Sequence, residues 1–213
     1  TICWHPEAAR LNLGDPPPRI KDTFTFSDQL RHQLKGLALT GVTAIAPWER
    51  VIDLQFAQRP GEEPLWHLYV EIMGKHSNVI LTDSSQQIVT PARQISSTQS
   101  SVRPIQTGQL YEVPPSLTGT TPKLEESFPR WHERVSLVPG QLKSQLLKSY
   151  RGLSPKVAAE MAIAAGLSPQ QHTDTLELEH WQALFRYWQK WLLVLEHQQF
   201  SPGWLDDGYT VLG

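Results

Sequence analysis

The chain has 213 residues, 39% of them hydrophobic and 19% charged, with a net charge of −2, so it is long enough for one large domain or two modest ones with real cores. That charge excludes a protein coated in positive charge, and any nucleic-acid contact must come from local patches. One cysteine, Cys3, excludes an intramolecular disulfide and fits a reducing cytoplasm, and no apolar run approaches the ~20 residues a bilayer span needs.

The opening residues, "TICWHPEAARLNLG", lack the basic start and apolar stretch of a signal peptide, and the chain begins at Thr rather than Met, as a fragment or processed chain would. "GDPPPRIKD" (14–22) reads as an irregular or polyproline-like connection. Ser27 is the expected cap of a short helix, "DQLRHQLK", which places Leu30 and Leu34 on one face and stops at Gly36. Two strands are expected next, "LALTGVTAIA" and "RVIDLQFAQ". In the second, Val51, Asp53 and Gln55 oppose Ile52, Leu54 and Phe56, the pattern of a strand with one buried face. "LWHLYVEIM" and "NVILTD" continue the pattern around Gly74-Lys75-His76-Ser77-Asn78, a hairpin connection or a small polar recognition surface. "IVTPARQIS" follows, and the Ser-, Thr- and Pro-rich stretch 96–122 marks a boundary.

Beyond it the periodicity turns helical. "GQLKSQLLKSYRG" aligns Leu142, Leu146 and Leu147. Ser154-Pro155 is a cap followed by proline at the first helical position, ahead of "KVAAEMAIAAG". A long segment then carries Trp181, Leu184, Phe185, Trp188, Leu192 and Leu195 at steps of three and four, a core stripe or helix-partner face. No internal repeat is visible.

Eight histidines raise the question of metal, but zinc spacings are absent and no HExxH follows His132-Glu133. GxSxG, Walker A and GxGxxG motifs are likewise missing, so neither metal, cofactor nor enzymatic chemistry is expected. Helix, "YRGLSP", helix has the grammar of a helix-hairpin-helix, whose turn and second N-terminus can hold a phosphate; a plain helical hairpin with solvated lysines fits the same spacing. Lys143, Lys148, Arg151 and Lys156 surround that turn with no acid among them. Glu49 and Arg50 stand together at a strand entry. Neighbours on a strand point to opposite faces, which leaves Arg50 able to meet a phosphate or stack on a base.

"ARLNL", "LRHQLKG", "ERVIDLQF", "LYVEIMGKHSNVILTD", "ARQIS", "SVRPIQTGQLYEVPP" and "GLSPKVAAEMAIAAGL" occur in an order that resembles the NFACT-N family, which includes bacterial ribosome-quality-control factors and proteins called fibronectin-binding protein A. The resemblance implies an α+β protein: residues 1–118 as a β-rich domain similar to the N-terminal domain of formamidopyrimidine-DNA glycosylases, 119–200 as an all-helical helix-hairpin-helix domain, and 201–213 as the start of a linker toward a coiled coil. It further implies a first domain shortened at its start, and binding of tRNA, chiefly alanyl-tRNA, and of a large ribosomal subunit carrying stalled peptidyl-tRNA. The protein would position tRNA for template-free tailing while the ribosome does the chemistry. Tail-forming members carry Asp-Arg where this chain has Glu49-Arg50, which moves the carboxylate out by one methylene. The candidate tRNA contacts are Glu49, Arg50, Arg31, Lys75, Arg93 and Arg103, and the candidate backbone contacts of the helical turn are Lys148, Arg151, Gly152, Ser154 and Lys156. A structural role is expected for Asn78. Two other readings are a fibronectin-binding adhesin and a repair-like DNA-binding protein.

Overall fold

β-branched and aromatic residues dominate the stretches between 38 and 91, and there the chain forms one antiparallel sheet. The computed structural model describes residues 1–15, 24–100, 102–116, 119–205 and 208–210, and the fold is α+β. Two compact units divide it, Thr1–Ser116 and Leu117–Gly213.

In the first unit a two-stranded ribbon pairs β1 (Ile2–Cys3) with β2 (Arg10–Leu11). Helix α1 (Thr25–Leu34) follows, then five strands, β3 (Ala38–Ala44), β4 (Val51–Ala57), β5 (Trp66–Glu71), β6 (Asn78–Asp83) and β7 (Ile88–Pro91), in sequential order. The register runs Val51 to Glu71 to Asn78 and Asp53 to Tyr69 to Ile80. Ser27 is not the cap of α1: the helix begins three residues earlier than expected, at Thr25, with Phe24 at the N-cap and no side-chain cap bond. Gly36 does end it, at a φ of 81° that a side chain would resist.

β4 departs from the expected half-buried pattern. Val51, Asp53, Leu54 and Ala57 are all buried because both faces of the sheet are covered. On one face Leu54, Leu68, Val70, Val79 and Leu81 pack with Phe26, Leu30 and Leu34 of α1. On the other, Val51, Tyr69, Ile80 and Ile88 pack with Ile95, Ile105 and Tyr111. The Ser/Thr/Pro-rich stretch therefore does more than mark a boundary. Ile95 and Ile105 exchange backbone bonds at 2.9 and 2.8 Å, and Tyr111 N–H donates to the Gln86 carbonyl at 2.8 Å, so Ile95, Ile105 and Tyr111 cover the sheet.

The second unit contains α2 (Phe128–Ser136), α3 (Leu142–Ser149), α4 (Pro155–Ala164) and α5 (Leu178–His197). The α5 stripe is core: Trp181, Leu184, Phe185, Trp188, Trp191 and Leu192 are buried, and Trp131 of α2 packs against Trp181, Phe185 and Trp188. On α3 Leu142, Gln145 and Leu146 are buried, with Leu147 only partly so. Within 201–213 a short ribbon pairs β8 (Gly203–Leu205) with β9 (Gly208–Thr210). No helix among the described residues is long and apolar enough to cross a membrane.

Candidate nucleic-acid interface

The "GKHSN" segment folds as a single tight helical turn, Gly74–His76, inside the β5–β6 hairpin. Gly74 takes a φ of 55° there, and Ser77 closes the turn by accepting the Met73 N–H at Oγ, 2.8 Å away. Asn78 is fully buried. Its Oδ1 accepts the N–H groups of Val79 at 2.9 Å and Arg93 at 3.0 Å, and its Nδ2 donates to the Arg93 carbonyl at 2.8 Å. Asn78 thus pins the chain after β7 to the hairpin, the structural role expected of it. Its consequence is positional: Arg93 is held beside the turn, and its Nη1 donates to the Lys75 carbonyl at 3.2 Å.

This turn forms one rim of a cleft of about 590 Å³ in the first unit. Arg50, Arg93 and Arg103 line it together with His76, Ile95 and the buried Ile105, and Pro114 and Pro115 complete one wall. Arg50 is exposed at the entry to β4, and its carbonyl accepts the Ile72 N–H at 2.9 Å. The Arg50 guanidinium and the Lys75 ammonium find no carboxylate among the described residues. Glu49 is partly buried, and its Oε1 accepts the Ser116 hydroxyl at 2.8 Å.

Arg103 is placed differently from the other cleft arginines. Its fork donates to both oxygens of Glu71, at 3.0 and 2.5 Å, and its Nε donates to the Glu112 carbonyl at 2.7 Å. Tyr111 donates its hydroxyl to the same carboxylate at 2.9 Å and stacks on Tyr69, ring centroids 3.9 Å apart. Burial, with the Glu71 charge beside it, pushes the Tyr111 phenol far above its ordinary range. Burial and the nearby Asp53 push Tyr69 up to about 12. Asp53 in turn bonds the ring of His67 at 2.9 Å.

Arg31 lies apart, on the helix over the opposite face of the sheet, where it pairs with Asp28 at 3.1 Å. The cleft therefore gathers Arg50, Arg93 and Arg103, with Lys75 and Glu49 adjoining, and leaves Arg31 out. Sequence reasoning missed His76, Glu71, Tyr111 and the two prolines as parts of this site. Glu71 gave no clear signal, because with His67 it alternates with apolar residues as on a solvated face.

In the second unit the expected turn joins α3 to α4. Tyr150 is buried, Gly152 takes a φ of 80°, and Leu153 is buried. Ser154 caps α4 by accepting the Val157 N–H at 3.1 Å, with Pro155 at the first helical position. The Arg151 N–H is held by the Thr120 carbonyl at 3.1 Å. Lys148, Gly152, Ser154 and Lys156 are exposed around the turn, and Lys156 pairs with Glu160 one helical turn on at 4.0 Å. Among the described residues no cluster of three His, Cys, Asp or Glu side chains has the arrangement to hold a metal ion.

The sequence pattern described as "NFACT N-terminal and middle domains" matches residues 1–212. The chain is 37% identical over 175 residues to the "Rqc2 homolog RqcH" of Bacillus subtilis, which covers 77% of this chain and 29% of that protein. It is 29% identical over 150 residues to the protein of the same name from Streptococcus suis, covering 68% of this chain and 26% of that one. The chain thus spans less than a third of the curated relatives it matches. Among solved structures, the N-terminal part of the fibronectin/fibrinogen-binding protein from Streptococcus suis superposes with a TM-score of 0.64 at 23% identity, covering 99% of this chain and 72% of that one. The fibrinogen-binding protein of Staphylococcus aureus gives 0.64 at 21%, covering 94% and 66%. At those identities the likeness is one of fold alone.

Proposed function

Because this chain belongs to the family of NFACT N-terminal and middle domains, we propose that it is the tRNA- and large-ribosomal-subunit-binding module of a ribosome-associated quality-control factor. The observation that carries the reading is the cleft lined by Arg50 and Arg93 with Ile95 and Ile105, where Arg93 is held against the Lys75 carbonyl. Guanidinium groups pair with phosphates and stack on bases, and apolar walls accept an unstacked base. In a chain whose net charge is −2, such a patch is where RNA affinity has to come from.

The finer parts of the proposal follow from the family. The first unit is the domain similar to the glycosylase N-terminal domain, without glycosylase chemistry. The α3–α4 connection is a helix-hairpin-helix in which Lys148, Arg151, Gly152, Ser154 and Lys156 meet the nucleic-acid backbone. The whole protein acts in the cytoplasm and recruits alanyl-tRNA to a large subunit with a stalled chain. It positions tRNA, and the ribosome makes the peptide bonds. Glu49, held by Ser116 at 2.8 Å, stands where tail-forming relatives have Asp, so it weakens tailing more than binding. The fibronectin and fibrinogen in the names of the structural neighbours belong to those proteins; no feature of the cleft favours an adhesin.

Pulldown of the tagged full-length protein from cells, with sequencing of bound RNA, tests the reading. Enrichment of a tRNA class together with large-subunit proteins, reduced in Arg50→Ala, is the expected result. An RNA-free pulldown would overturn it.

A further inference from the structure

Arg103 has the composition of an RNA contact and the surroundings of a structural one. Its side chain is 10% exposed, and the carboxylate of Glu71 is entirely buried. Both guanidinium branches are engaged by that carboxylate and Nε by the Glu112 carbonyl, while its carbon centre lies 5.2 Å from the Tyr111 ring centroid. A bidentate bond to a phosphate would use the same fork and strand a buried carboxylate without a partner, a costly exchange.

The position of Glu71 gives this arrangement a purpose. It ends β5 opposite Val51, and the next residue, Ile72, binds the Arg50 carbonyl. One strand end therefore touches both sides of the cleft, Arg50 through the backbone and residues 103–112 through the carboxylate. The far wall is built on Pro114 and Pro115, which have no N–H with which to anchor themselves. The Arg103 bond to Glu112, two residues before Pro114, and the Tyr111 bond to Glu71 tie that wall down on one side, and the Ser116 hydroxyl on Glu49 holds it on the other.

We infer that Arg103 is a positioning residue that acts on the cleft through Glu71, and that Glu71, Arg103 and Tyr111 form a latch setting the spacing between Arg50 and the proline wall. The inference rests on the cleft being the RNA site, and it makes a specificity claim about that site: Arg50 and Arg93 touch the ligand and Arg103 does not.

The test is a double-mutant cycle on the chain, with fluorescently labelled bulk tRNA at fixed salt. Glu71→Gln and Arg103→Gln each weaken binding by about tenfold, and the double variant is also weaker by about tenfold rather than about a hundredfold, because the two act as one unit. Tyr111→Phe, which removes a single hydroxyl, shifts affinity the same way by less. Backbone hydrogen exchange supplies a readout independent of RNA. In Glu71→Gln the amides of Ile105 and Tyr111 exchange faster while those of β4 to β6 keep their protection. Multiplying effects, unchanged binding in Glu71→Gln, or wall amides that stay protected would each overturn the latch. A wild-type chain that ignores tRNA would sink the RNA reading alone, with hydrogen exchange still deciding the latch.

Discussion

Asn78 has no exposed surface and closes three hydrogen bonds to backbone groups of Val79 and Arg93. Asn78→Ala leaves buried donors and an acceptor unpaired and should cost about 1–3 kcal/mol, read from urea unfolding. Lys75→Ala, three residues away on an exposed turn, should change stability by less than about 0.5 kcal/mol. Breaking the Glu71–Arg103 pair from one side is a larger insult, because the remaining charge stays buried. Arg103→Met should cost about 3–5 kcal/mol, and adding Glu71→Gln should recover much of that loss. The buried tyrosines set an alkaline limit. Tyr69 is raised to about 12, and Tyr111 and Tyr150 also rise, chiefly through burial. A phenol raised in the folded state contributes stability that is intact below its unfolded pKa of about 10 and is lost as pH climbs through the folded value. Absorbance at 295 nm should therefore show these three phenols still protonated near pH ~10 in the folded chain; their ionisation around pH ~10 with the near-ultraviolet circular dichroism intact would contradict that shielding.

Elements were legible where one periodicity ruled. The Trp181–Leu192 stripe and the Ser154-Pro155 start are both present in the fold, and Ser154→Ala should cost about 0.5–2 kcal/mol in thermal unfolding, with Trp188→Ala, truncating a side chain 1% exposed, nearer 3–5 kcal/mol. Strands β4 and β5 were half legible. Asp53, His67 and Glu71 alternate with apolar residues and so imitate a solvated face, yet Ile95, Ile105 and Tyr111 pack on that face and the polar groups are paired with one another or with Arg103. Alternation reports polarity and cannot distinguish water from a buried partner. Helix α2 went unread because nine residues carry only two buried apolar side chains, Trp131 and Val135, too few for a stripe. The sign available was Pro129 near the helix start. Ser27 offered a cap chemistry that packing overrode, since Phe26 belongs to the core side of α1.

At the scale of the molecule, the candidate site was legible in its parts and not in its assembly. Arg50, Lys75 and Arg93 lie apart in sequence and meet because β4 begins, the β5–β6 hairpin turns and β7 finishes at the same end of the sheet. The resemblance to a family nominated them; the register and Asn78 bring them together. Arg31, equally basic, was carried to the opposite face by the same fold, and the 32-residue separation of Glu71 and Arg103 hid the latch. Charge alone thus nominates more residues than the fold gathers. The central claim is that the cleft arginines grip RNA, and tRNA affinity measured against salt tests it most directly. The wild-type chain should bind much less tightly as salt rises, and Arg50→Ala with Arg93→Ala should bind more weakly still, with a slope shallower by about 0.7–0.9 for each phosphate no longer neutralised. Affinity that is insensitive to salt, or unchanged in strength and slope by removing both arginines, would contradict the account.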